Sequence, residues 1–287
     1  MRLHHAALLL ALMVAWGVNF PIAKLGLQEL PPLLMTTLRF ALTAILLMPF
    51  ARWPRGRALQ IAGLSFTFGV VHMNLLFAGM RHIDGGAAAI AVQVQVPFAA
   101  LIAALFYNDP LGWRRALGMT LAIAGLFVVA GAPRLEGQLL PFLLVVLSAI
   151  IWAITNIQAK HLRDVSATTI TAYVALFGVP QMLATSLLLE DGQIEALSRL
   201  TLQAILAVLY LSVVVTILGY AVWYRMVQRY PINTVMPFTL LIPIIGVVAS
   251  AVALDEPLTW HTAIGGAATI VGVAIVIIRA APRRTPQ

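Results

Sequence analysis

The stretch Trp16-Gly17-Val18-Asn19-Phe20-Pro21-Ile22-Ala23-Lys24 occurs twice in this chain. Its second copy, 136 residues later, reads Trp152-Ala153-Ile154-Thr155-Asn156-Ile157-Gln158-Ala159-Lys160. In both copies a Trp precedes Ala-Lys by seven and eight residues, and Lys24 and Lys160 are the only two lysines in the sequence. A lysine at a helix end can simply extend its ammonium group to the membrane surface. That explanation does not account for the Trp or for the spacing, so we interpret the two stretches as an internal duplication.

The composition is that of a membrane protein. Of the 287 residues, 61% are hydrophobic and only 10% are charged, whereas soluble domains carry about 25% charged residues. The net charge of +8 could suggest nucleic-acid binding, but the basic residues lie in short loops and form no basic stripe or motif. That placement is typical of the cytoplasmic face of a membrane protein. The chain has no Cys, so it has neither a disulfide framework nor a thiolate metal site.

Ten apolar segments are long enough to cross a bilayer, which takes about 20 residues in an α-helix. Continuous apolar segments favour helices, because every backbone polar group in lipid needs a partner within the segment. The approximate cores of the segments are 5–26, 32–50, 59–80, 86–106, 114–131, 139–159, 167–189, 202–224, 232–253 and 261–279. With the N-terminus in the cytoplasm, thirteen Lys and Arg residues fall on the inner side and four on the outer side. The positive-inside rule therefore predicts both termini in the cytoplasm.

A second pair of motifs extends the duplication through the fourth and ninth segments. Asp109-Pro110-Leu111-Gly112-Trp113 has its counterpart in Glu256-Pro257-Leu258-Thr259-Trp260, 147 residues later. The repeat therefore contains five helices, with predicted units 1–133 and 134–287. Because five crossings bring the second unit in from the opposite side, the two units are inverted, a recurring transporter design with a substrate site near the midplane. The predicted fold is an all-α integral membrane protein, with ten transmembrane helices as two inverted five-helix repeats around a central cavity.

These motifs together resemble the drug/metabolite transporter superfamily. The resemblance rests on Trp-Gly-x-Asn-Phe at 16–20, on Leu38-Arg39-Phe40 in the second helix, and on the acid-Pro-Leu turns at 109–111 and 256–258. It is to the ten-helix branch with two EamA domains, and it covers nearly the whole chain. Within that branch the general likeness is to the YddG-type aromatic amino-acid exporters. The resemblance implies a bacterial inner-membrane exporter with a central cavity that opens alternately to each side.

No Asp or Glu lies within an apolar core, since all ten acids are at turns or helix ends. Proton-coupled transporters commonly use a buried carboxylate or His as a relay, so we expect facilitated movement. His72 is the one side chain at depth that could carry a proton near physiological pH; a neutral His bonded between helices is the alternative. Arg39 could pair with a substrate carboxylate, but a structural role is favoured, in which it bonds carbonyl groups or lies near an interface.

The other polar and aromatic side chains in the apolar cores predict a cavity for a zwitterion with an apolar or aromatic side chain. Buried amides in lipid cost free energy unless they are paired, and the faces of Trp and Tyr attract an ammonium group. For each residue alone, a hydrogen bond between helices is the alternative role. The candidate substrate-binding residues are Trp16, Asn19, His72, Asn74, Gln93, Trp152, Asn156, Tyr173, Tyr220, Trp223, Tyr224 and Thr239.

Matched prolines and glycines add two further predictions. Pro97 and Pro243 lie mid-helix at corresponding positions of the fourth and ninth helices. Proline removes an intrahelical hydrogen bond and can kink a helix, so we predict two hinges, with static kinks as the alternative. The fifth and tenth helices each carry a pair of glycines seven residues apart, which predicts close helix packing.

We therefore predict a transporter, not an enzyme, that exports small neutral metabolites, with aromatic or apolar amino acids as the best candidates. Alternative substrates are a drug, a vitamin or a nucleotide-linked sugar with proton coupling, although a nucleotide would need more buried basic residues than Arg39. A membrane-embedded enzyme fits less well, because the cores hold no metal cluster, nucleophile–base pair or carboxylate dyad. No cofactor or metal is expected, and the expected partners are the substrate and the lipid bilayer. The oligomeric state is open, with a monomer as the working hypothesis.

Overall fold

The computed structural model describes residues 1–107, 112–132, 135–162, 164–230 and 235–277. Inside these ranges the side chains of a few residues are not part of the description, namely Ala103, Phe106, Tyr107, Lys160, Tyr224, Val227, Gln228, Met236 and Pro237. The regular structure of the described chain is entirely helical. The acid-Pro-Leu turn at 109–111 and the predicted unit boundary at 133/134 lie outside the described residues.

Ten membrane-type helices follow one another along the described chain, joined by short connections. They are α1 (Leu3–Leu27), α2 (Pro32–Leu47), α3 (Ala58–Met80), α4 (85–107), α5 (Trp113–Ala130), α6 (Leu139–Lys160), α7 (Ala167–Leu189), α8 (202–229), α9 (236–254) and α10 (Trp260–Ile277). Nine of these described helices are long and apolar enough to cross a membrane, while the apolar part of α9 is shorter, Phe238–Leu254. The predicted all-α membrane fold is therefore confirmed.

Polar side chains at the helix starts satisfy backbone N–H groups that have no partner within the helix. Ser166 precedes α7 and its hydroxyl accepts from Thr169 N at 3.2 Å. Glu190, at the end of α7, accepts from Leu33 N at 2.8 Å and Leu34 N at 3.1 Å, in the first turn of α2. This carboxylate therefore links the second helix of the first unit to the second helix of the other unit.

Four of the helices contain irregular segments, and these occupy corresponding places in the two units. The third helices contain π-helical turns, Phe66–Met73 in α3 and Tyr210–Leu218 in α8. The fourth helices contain 3₁₀ turns, Val92–Val94 in α4 and Met236–Leu240 in α9. The sequence predicted plain helices at all four places. π turns within α-helices are rare and are frequently found at functional sites.

The two predicted hinge prolines share one structural context. Pro97 and Pro243 are each the third residue of an α-helical part, Gln95–Tyr107 and Leu241–Leu254, that directly follows a 3₁₀ turn. A proline in the first turn of a helix disturbs it little. The irregularity therefore lies in the 3₁₀ turn just before each proline. Movement at these places stays a prediction.

Glycines let the last helices of the two units, α5 and α10, cross with their backbones in contact. A Cβ added at Gly118 would lie 2.7 Å from the carbonyl oxygen of Gly272, and one added at Gly125 would lie 2.5 Å from that of Gly265. A Cβ at Gly265 would in turn lie 2.6 Å from Gly125 O. The contact is reciprocal, as expected for two copies of one unit, and it agrees with the packing role predicted for these glycines.

Two further contacts between the units also depend on glycine. Phe40 of α2 packs against Gly178 of α7, and its ring would be 2.9 Å from a Cβ added at Gly69 of α3. Gly17 of α1 packs against Ile245 of α9, where an added Cβ would be 2.6 Å from the Ile side chain. Helices of the first unit thus pack on helices of the second along most of the bundle.

Candidate functional site

The first Trp of the duplicated stretch packs against α8. Trp16 Nε1 donates to Val215 O at 3.2 Å, and its ring lies 6.1 Å from that of Tyr220 and 5.6 Å from that of Trp223. A Cβ added at Gly219 would be 2.6 Å from Trp16 Nε1, so the glycine makes room for the indole. Three predicted substrate-binding residues, Trp16, Tyr220 and Trp223, therefore lie together; we call them the Trp16 cluster.

The second Trp of the duplicated stretch packs in the same way against α3. The ring of Trp152 lies 5.0 Å from that of His72 and 5.3 Å from that of Phe68; we call these three residues the Trp152 cluster. His72 is buried, and its Nδ1 is 2.8 Å from Ser148 O in α6. Because a carbonyl only accepts, Nδ1 carries the proton. His72 thus makes the hydrogen bond between helices that was the alternative to a proton-carrying role.

The two clusters are the same contact made twice. In each, the first helix of one unit packs on the third helix of the other, and both third helices carry a π turn. His72 is the seventh residue of the π turn Phe66–Met73, and Thr216 is the seventh residue of the π turn Tyr210–Leu218. Both side chains are 5% exposed. The duplication therefore places His72 and Thr216 in equivalent, inward-facing positions.

Arg39, halfway along α2, joins the two π turns. Its Nε and Nη2 donate to Thr216 Oγ1 at 3.1 and 2.8 Å, and its Nη1 is 3.9 Å from Met73 Sδ. The side chain is only 4% exposed. Its partners adjoin both clusters, since Thr216 directly follows Val215, which accepts from Trp16, and Met73 directly follows His72. The described acceptors of Arg39 are therefore a hydroxyl and a thioether rather than the expected carbonyl groups, and its role stays a prediction.

Thr216 and Met73 are the partners of Arg39, and sequence reasoning missed both. Both are ordinary residues of apolar helices, and nothing in their local sequence marks them. His72 and Thr216 become equivalent only when residues are counted from the start of each π turn, 144 residues apart. The duplicated motifs have offsets of 136 and 147 residues and do not give this pairing.

Four other predicted residues are buried or half-buried in the helices. Asn19 follows Trp16 on the same face of α1, is half-buried, and its Oδ1 is enclosed without a hydrogen-bond partner among the described residues. Gln93 lies in the 3₁₀ turn of α4 and is 3% exposed. Asn74 and Thr239 are half-buried. All four stay candidates for substrate contact.

The remaining predicted residues lie elsewhere. Tyr173 is buried near one end of the bundle, with its ring 5.4 Å from that of Trp53 in the connection between α2 and α3. Asn156 is exposed, and its Nδ2 donates to Trp152 O of its own helix at 3.0 Å. The side chain of Tyr224 lies outside the described part of the chain. No contact of these residues with substrate is shown.

The first duplicated stretch ends in an ion pair between the units. Lys24 Nζ is 3.1 Å from Glu256 Oε1 and 2.6 Å from Ile83 O. Glu256 also accepts from Gly85 N at 2.7 Å and from Gly86 N at 3.1 Å, at the start of α4. A carboxylate suits a helix N-terminus, where free N–H groups carry partial positive charge. We call this end of the bundle the Lys24 end, and Lys24 is held in this contact rather than extended to the surface.

One groove on the described structure lies away from the predicted substrate-binding residues. It has a volume of about 770 Å³ and lies between α1 and α8, lined by Ile22, Leu25, Leu206 and other mainly apolar side chains. None of the predicted substrate-binding residues lines it, and its apolar lining suits contact with lipid. Among the described residues, no three side chains of His, Cys, Asp or Glu come together in a way that could hold a metal ion.

Comparisons with known proteins bear on what this arrangement does. A family model described as the EamA-like transporter family matches residues 5–131 and 139–278. A "Probable amino-acid metabolite efflux pump" of Salmonella typhimurium is 32% identical, over 98% of this chain and 97% of its own length. A protein with the same description from Escherichia coli is 30% identical over 93% of both chains. A "Probable terminal-alkyne amino-acid exporter" of Streptantibioticus cattleyicolor is 24% identical over 99% of this chain and 97% of its own length.

A solved crystal structure superposes on this chain with a TM-score of 0.64 at 16% identity, and the match covers 96% of each chain. At that identity the likeness shows the fold alone. The two family matches confirm the internal repeat, and they are to transporters rather than to enzymes, as predicted. This multi-pass membrane protein therefore belongs to the EamA-like transporter family.

Proposed function

We propose that the protein exports amino acids with aromatic or apolar side chains, and related neutral metabolites, by alternating access without proton coupling. The observation that carries the proposal is the pair of Trp clusters between the two units. Each cluster offers aromatic faces and neutral polar groups, and the region joining them contains no carboxylate among the described residues. Aromatic faces suit both the ammonium group and the ring of an aromatic amino acid.

The relatives support the same substrate class. Two near-full-length relatives at 32% and 30% identity are described as amino-acid metabolite efflux pumps, and a third at 24% as an amino-acid exporter. The preference for aromatic side chains rests on the Trp clusters of this chain. A nucleotide-linked substrate is disfavoured, because a phosphate group would need more basic side chains at depth than Arg39, the basic residue that the sequence places within an apolar core.

Alternating access is supported by how the units meet. At the Lys24 end the ion pair with Glu256 holds α1 of one unit against the α9–α10 turn of the other. Opening that end requires this contact to separate, and the matched 3₁₀ turns of α4 and α9 are places where the helices can bend. Inverted repeats commonly open one face as they close the other.

Movement down a gradient is supported by the absence of acids from the apolar segments. Proton-coupled carriers commonly use a buried carboxylate or His as a relay. His72 is the candidate that remains, and its Nδ1 is bonded to Ser148 O. We further propose a bacterial cytoplasmic membrane, with both termini in the cytoplasm and the monomer as the transporting unit.

The test is transport by the purified protein in liposomes. Labelled phenylalanine, tryptophan, leucine, alanine and aspartate would be compared, each with and without a pH gradient. We expect uptake of the large apolar amino acids, little uptake of aspartate, and no dependence on the gradient. Trp152→Ala should lower phenylalanine uptake about tenfold, because an aromatic contact and its buried area are lost. Trp113→Ala is the matched control, since Trp113 is 72% exposed at the start of α5 and its loss should change nothing.

The outcomes separate the parts of the proposal. Uptake that requires a proton gradient would overturn the uncoupled mechanism and make His72 the residue to change next. No uptake of any amino acid would overturn the substrate class while leaving the membership of the transporter family intact. Equal effects of the two Trp substitutions would overturn the role of the Trp152 cluster.

A further inference from the structure

We propose that Arg39, held by Thr216, is the site that binds the carboxylate of the transported amino acid. The inference rests on the proposed function and assigns one subsite within it. It also gives a ligand-binding role to Arg39, for which the sequence favoured a structural role.

The guanidinium group of Arg39 is incompletely hydrogen-bonded by the described residues. It has five N–H donors, and the described residues accept three hydrogen bonds from it, two at Thr216 Oγ1 and one at Met73 Sδ. The thioether sulfur is a weak acceptor, and no carboxylate pairs with Arg39 among the described residues. A buried charge is unfavourable unless it is paired and hydrogen-bonded. Within the described part of the chain, Arg39 therefore has spare donors and no counter-charge.

Thr216 is oriented to accept hydrogen bonds from Arg39. Its hydroxyl donates to Leu211 O, five residues earlier, at 2.8 Å. This bond spans the i to i−5 spacing of the π turn. Since the hydroxyl proton is used there, the oxygen presents its lone pairs to Arg39. Thr216 thus fixes one edge of the guanidinium through Nε and Nη2. The opposite edge has only the weak sulfur acceptor Met73 Sδ at Nη1 among the described residues, and a ligand can bind there.

Arg39 lies between the two aromatic clusters. It contacts Thr216 of α8 on one side and Met73 of α3 on the other. Thr216 directly follows Val215, whose carbonyl accepts from Trp16, and Met73 directly follows His72. A carboxylate bound here has aromatic faces within reach on both sides. An α-amino acid carries its ammonium group and side chain on the carbon next to the carboxylate, so anchoring the carboxylate directs the other two groups towards these faces.

A carboxylate has the chemistry that the guanidinium group of Arg39 needs in a ligand. Arginine matches a carboxylate with two parallel N–H···O bonds, and such charged hydrogen bonds are stronger than neutral ones. A ligand carboxylate would supply the missing counter-charge and the missing acceptors together. A purely structural Arg39 would tie α2, α3 and α8 together but would not discriminate between ligands. Discrimination is therefore the property to measure.

The experiment compares phenylalanine with phenylalanine amide, which keeps the ring and the amine but has no carboxylate. Initial uptake of both is measured in proteoliposomes of the full chain, and the result is the ratio of their kcat/KM values. We expect the wild type to favour phenylalanine about 10- to 100-fold, the range that a charged hydrogen-bonded pair gives. In Arg39→Gln the ratio should fall towards one, and Arg39→Lys, which keeps the charge but not the fork, should lie between.

A second variant guards against misfolding of the Arg39 variants. Thr216→Val keeps the guanidinium but removes its fixed acceptor, so we expect a smaller drop of the ratio, about threefold to tenfold. Tyr210→Phe is the matched control on the same helix. It removes a hydroxyl that donates to Ala15 O at 2.7 Å, at the far end of the π turn from Thr216, and it should leave the ratio unchanged.

The failures are distinguishable. If wild type carries neither compound, the proposed function fails and the inference fails with it. If wild type carries both compounds with a ratio near one, the proposed function stands and the carboxylate site is overturned. The inference is also overturned if Arg39→Gln or Thr216→Val slows both compounds equally and keeps the wild-type ratio, because that is the behaviour of a structural tie.

Discussion

Lys24 and Arg39 are both withdrawn from water inside the bundle, but they are treated in opposite ways. Lys24 is 3.1 Å from the carboxylate of Glu256, and the two side chains are 19% and 9% exposed. Arg39 is 4% exposed, and its acceptors in the described chain are the hydroxyl of Thr216 and the sulfur of Met73. The charge nearer to water is neutralised, whereas the charge farther from water has no counter-charge among the residues that the structure describes.

Their depth in the helix bundle explains the difference. Lys24 lies in the last turn of α1, and Glu256 beside it is also stabilised by N–H groups at the start of α4. Halfway along α2 a carboxylate would have to leave water completely, and the desolvation of both charges can exceed their attraction. A permanent partner for Arg39 would also block any anion from binding there. The comparison teaches that an ion pair can serve cohesion at the end of the bundle, whereas a cation at depth with no described counter-charge fits the proposed role of Arg39 as a ligand site.

The largest effect should come from locking the Lys24 end. A Cβ built on Gly85 lies 3.5 Å from Ser250 Cβ, within the range of about 3.5–4.5 Å that a disulfide needs. The chain has no other cysteine, so Gly85→Cys with Ser250→Cys can form a single bridge beside Glu256. If this end must open during transport, oxidation should abolish phenylalanine uptake in proteoliposomes almost completely, and a reductant should restore it.

Each single-cysteine variant serves as a control, because it should be indifferent to oxidant and reductant. The extent of bridging would be read from the mass of the intact protein. A fully bridged protein that transports at the unbridged rate would show that the Lys24 end stays closed throughout the cycle. The ion pair would then have no part in alternating access.

The next effect should come from removing the charge of Glu256. Glu256→Gln leaves Lys24 without a counter-charge, and breaking a buried pair from one side costs about 3–5 kcal/mol. Because Lys24 is 19% exposed and water can reach it, we expect a smaller loss of about 2 kcal/mol in the free energy of unfolding. Unfolding in mixed micelles, followed by tryptophan fluorescence, would measure it.

Glu190→Gln is the matched control for this change. Glu190 accepts from Leu33 N and Leu34 N at the start of α2 but pairs with no Lys or Arg among the described residues. Its substitution should cost about 1 kcal/mol, the usual size of a lost helix cap. Equal losses from Glu256→Gln and Glu190→Gln would mean that the charge of Lys24 contributes nothing. If the two charges interact, adding Lys24→Met to Glu256→Gln should regain part of the lost free energy of unfolding, because the unpaired ammonium group is removed.

The parts of the fold that depend on local composition could be predicted from the sequence. Apolar length predicts the helices, because lipid requires each segment to satisfy its own backbone. The spacing from Trp to Lys reveals the duplication, which is what makes Trp16 and Trp152 equivalent. Tyr220 and His72, which contact these two Trp rings, are among the predicted substrate-binding residues. They were selected because polar and aromatic side chains in apolar helices collect at the interior.

The partners of Arg39 could not be predicted in the same way. Arg39 and Thr216 are 177 residues apart, and the bond depends on a π turn that shifts the register of α8. Hydrophobic periodicity does not distinguish a π turn from the α-helix around it. Tyr173 shows the opposite limit. As a Tyr in an apolar helix it qualified for the cavity, but the structure places it against Trp53 near an end of the bundle.

The smallest effect should come from the exposed ion pair at the other end of the bundle. Arg57 Nε donates to Asp164 Oδ2 at 2.9 Å, and the two side chains are 36% and 55% exposed. This hydrogen bond lowers the pKa of Asp164 from its ordinary value of 3.8. A lowered pKa stabilises the fold above the ordinary value, and the stabilisation is lost as the pH falls through the lowered value. It is therefore constant at neutral pH and fades only below about pH 4.

Asp164→Asn should accordingly leave unfolding and transport within experimental error of wild type at about pH 7, because exposed pairs are screened by water and salt. Unfolding curves of both proteins between about pH 3 and pH 7 would show the wild type losing its small advantage only at the acid end. A loss at neutral pH as large as that of Glu256→Gln would contradict the comparison. Exposed ion pairs would then stabilise this bundle as much as buried ones. The lack of a described counter-charge at Arg39 would need another explanation.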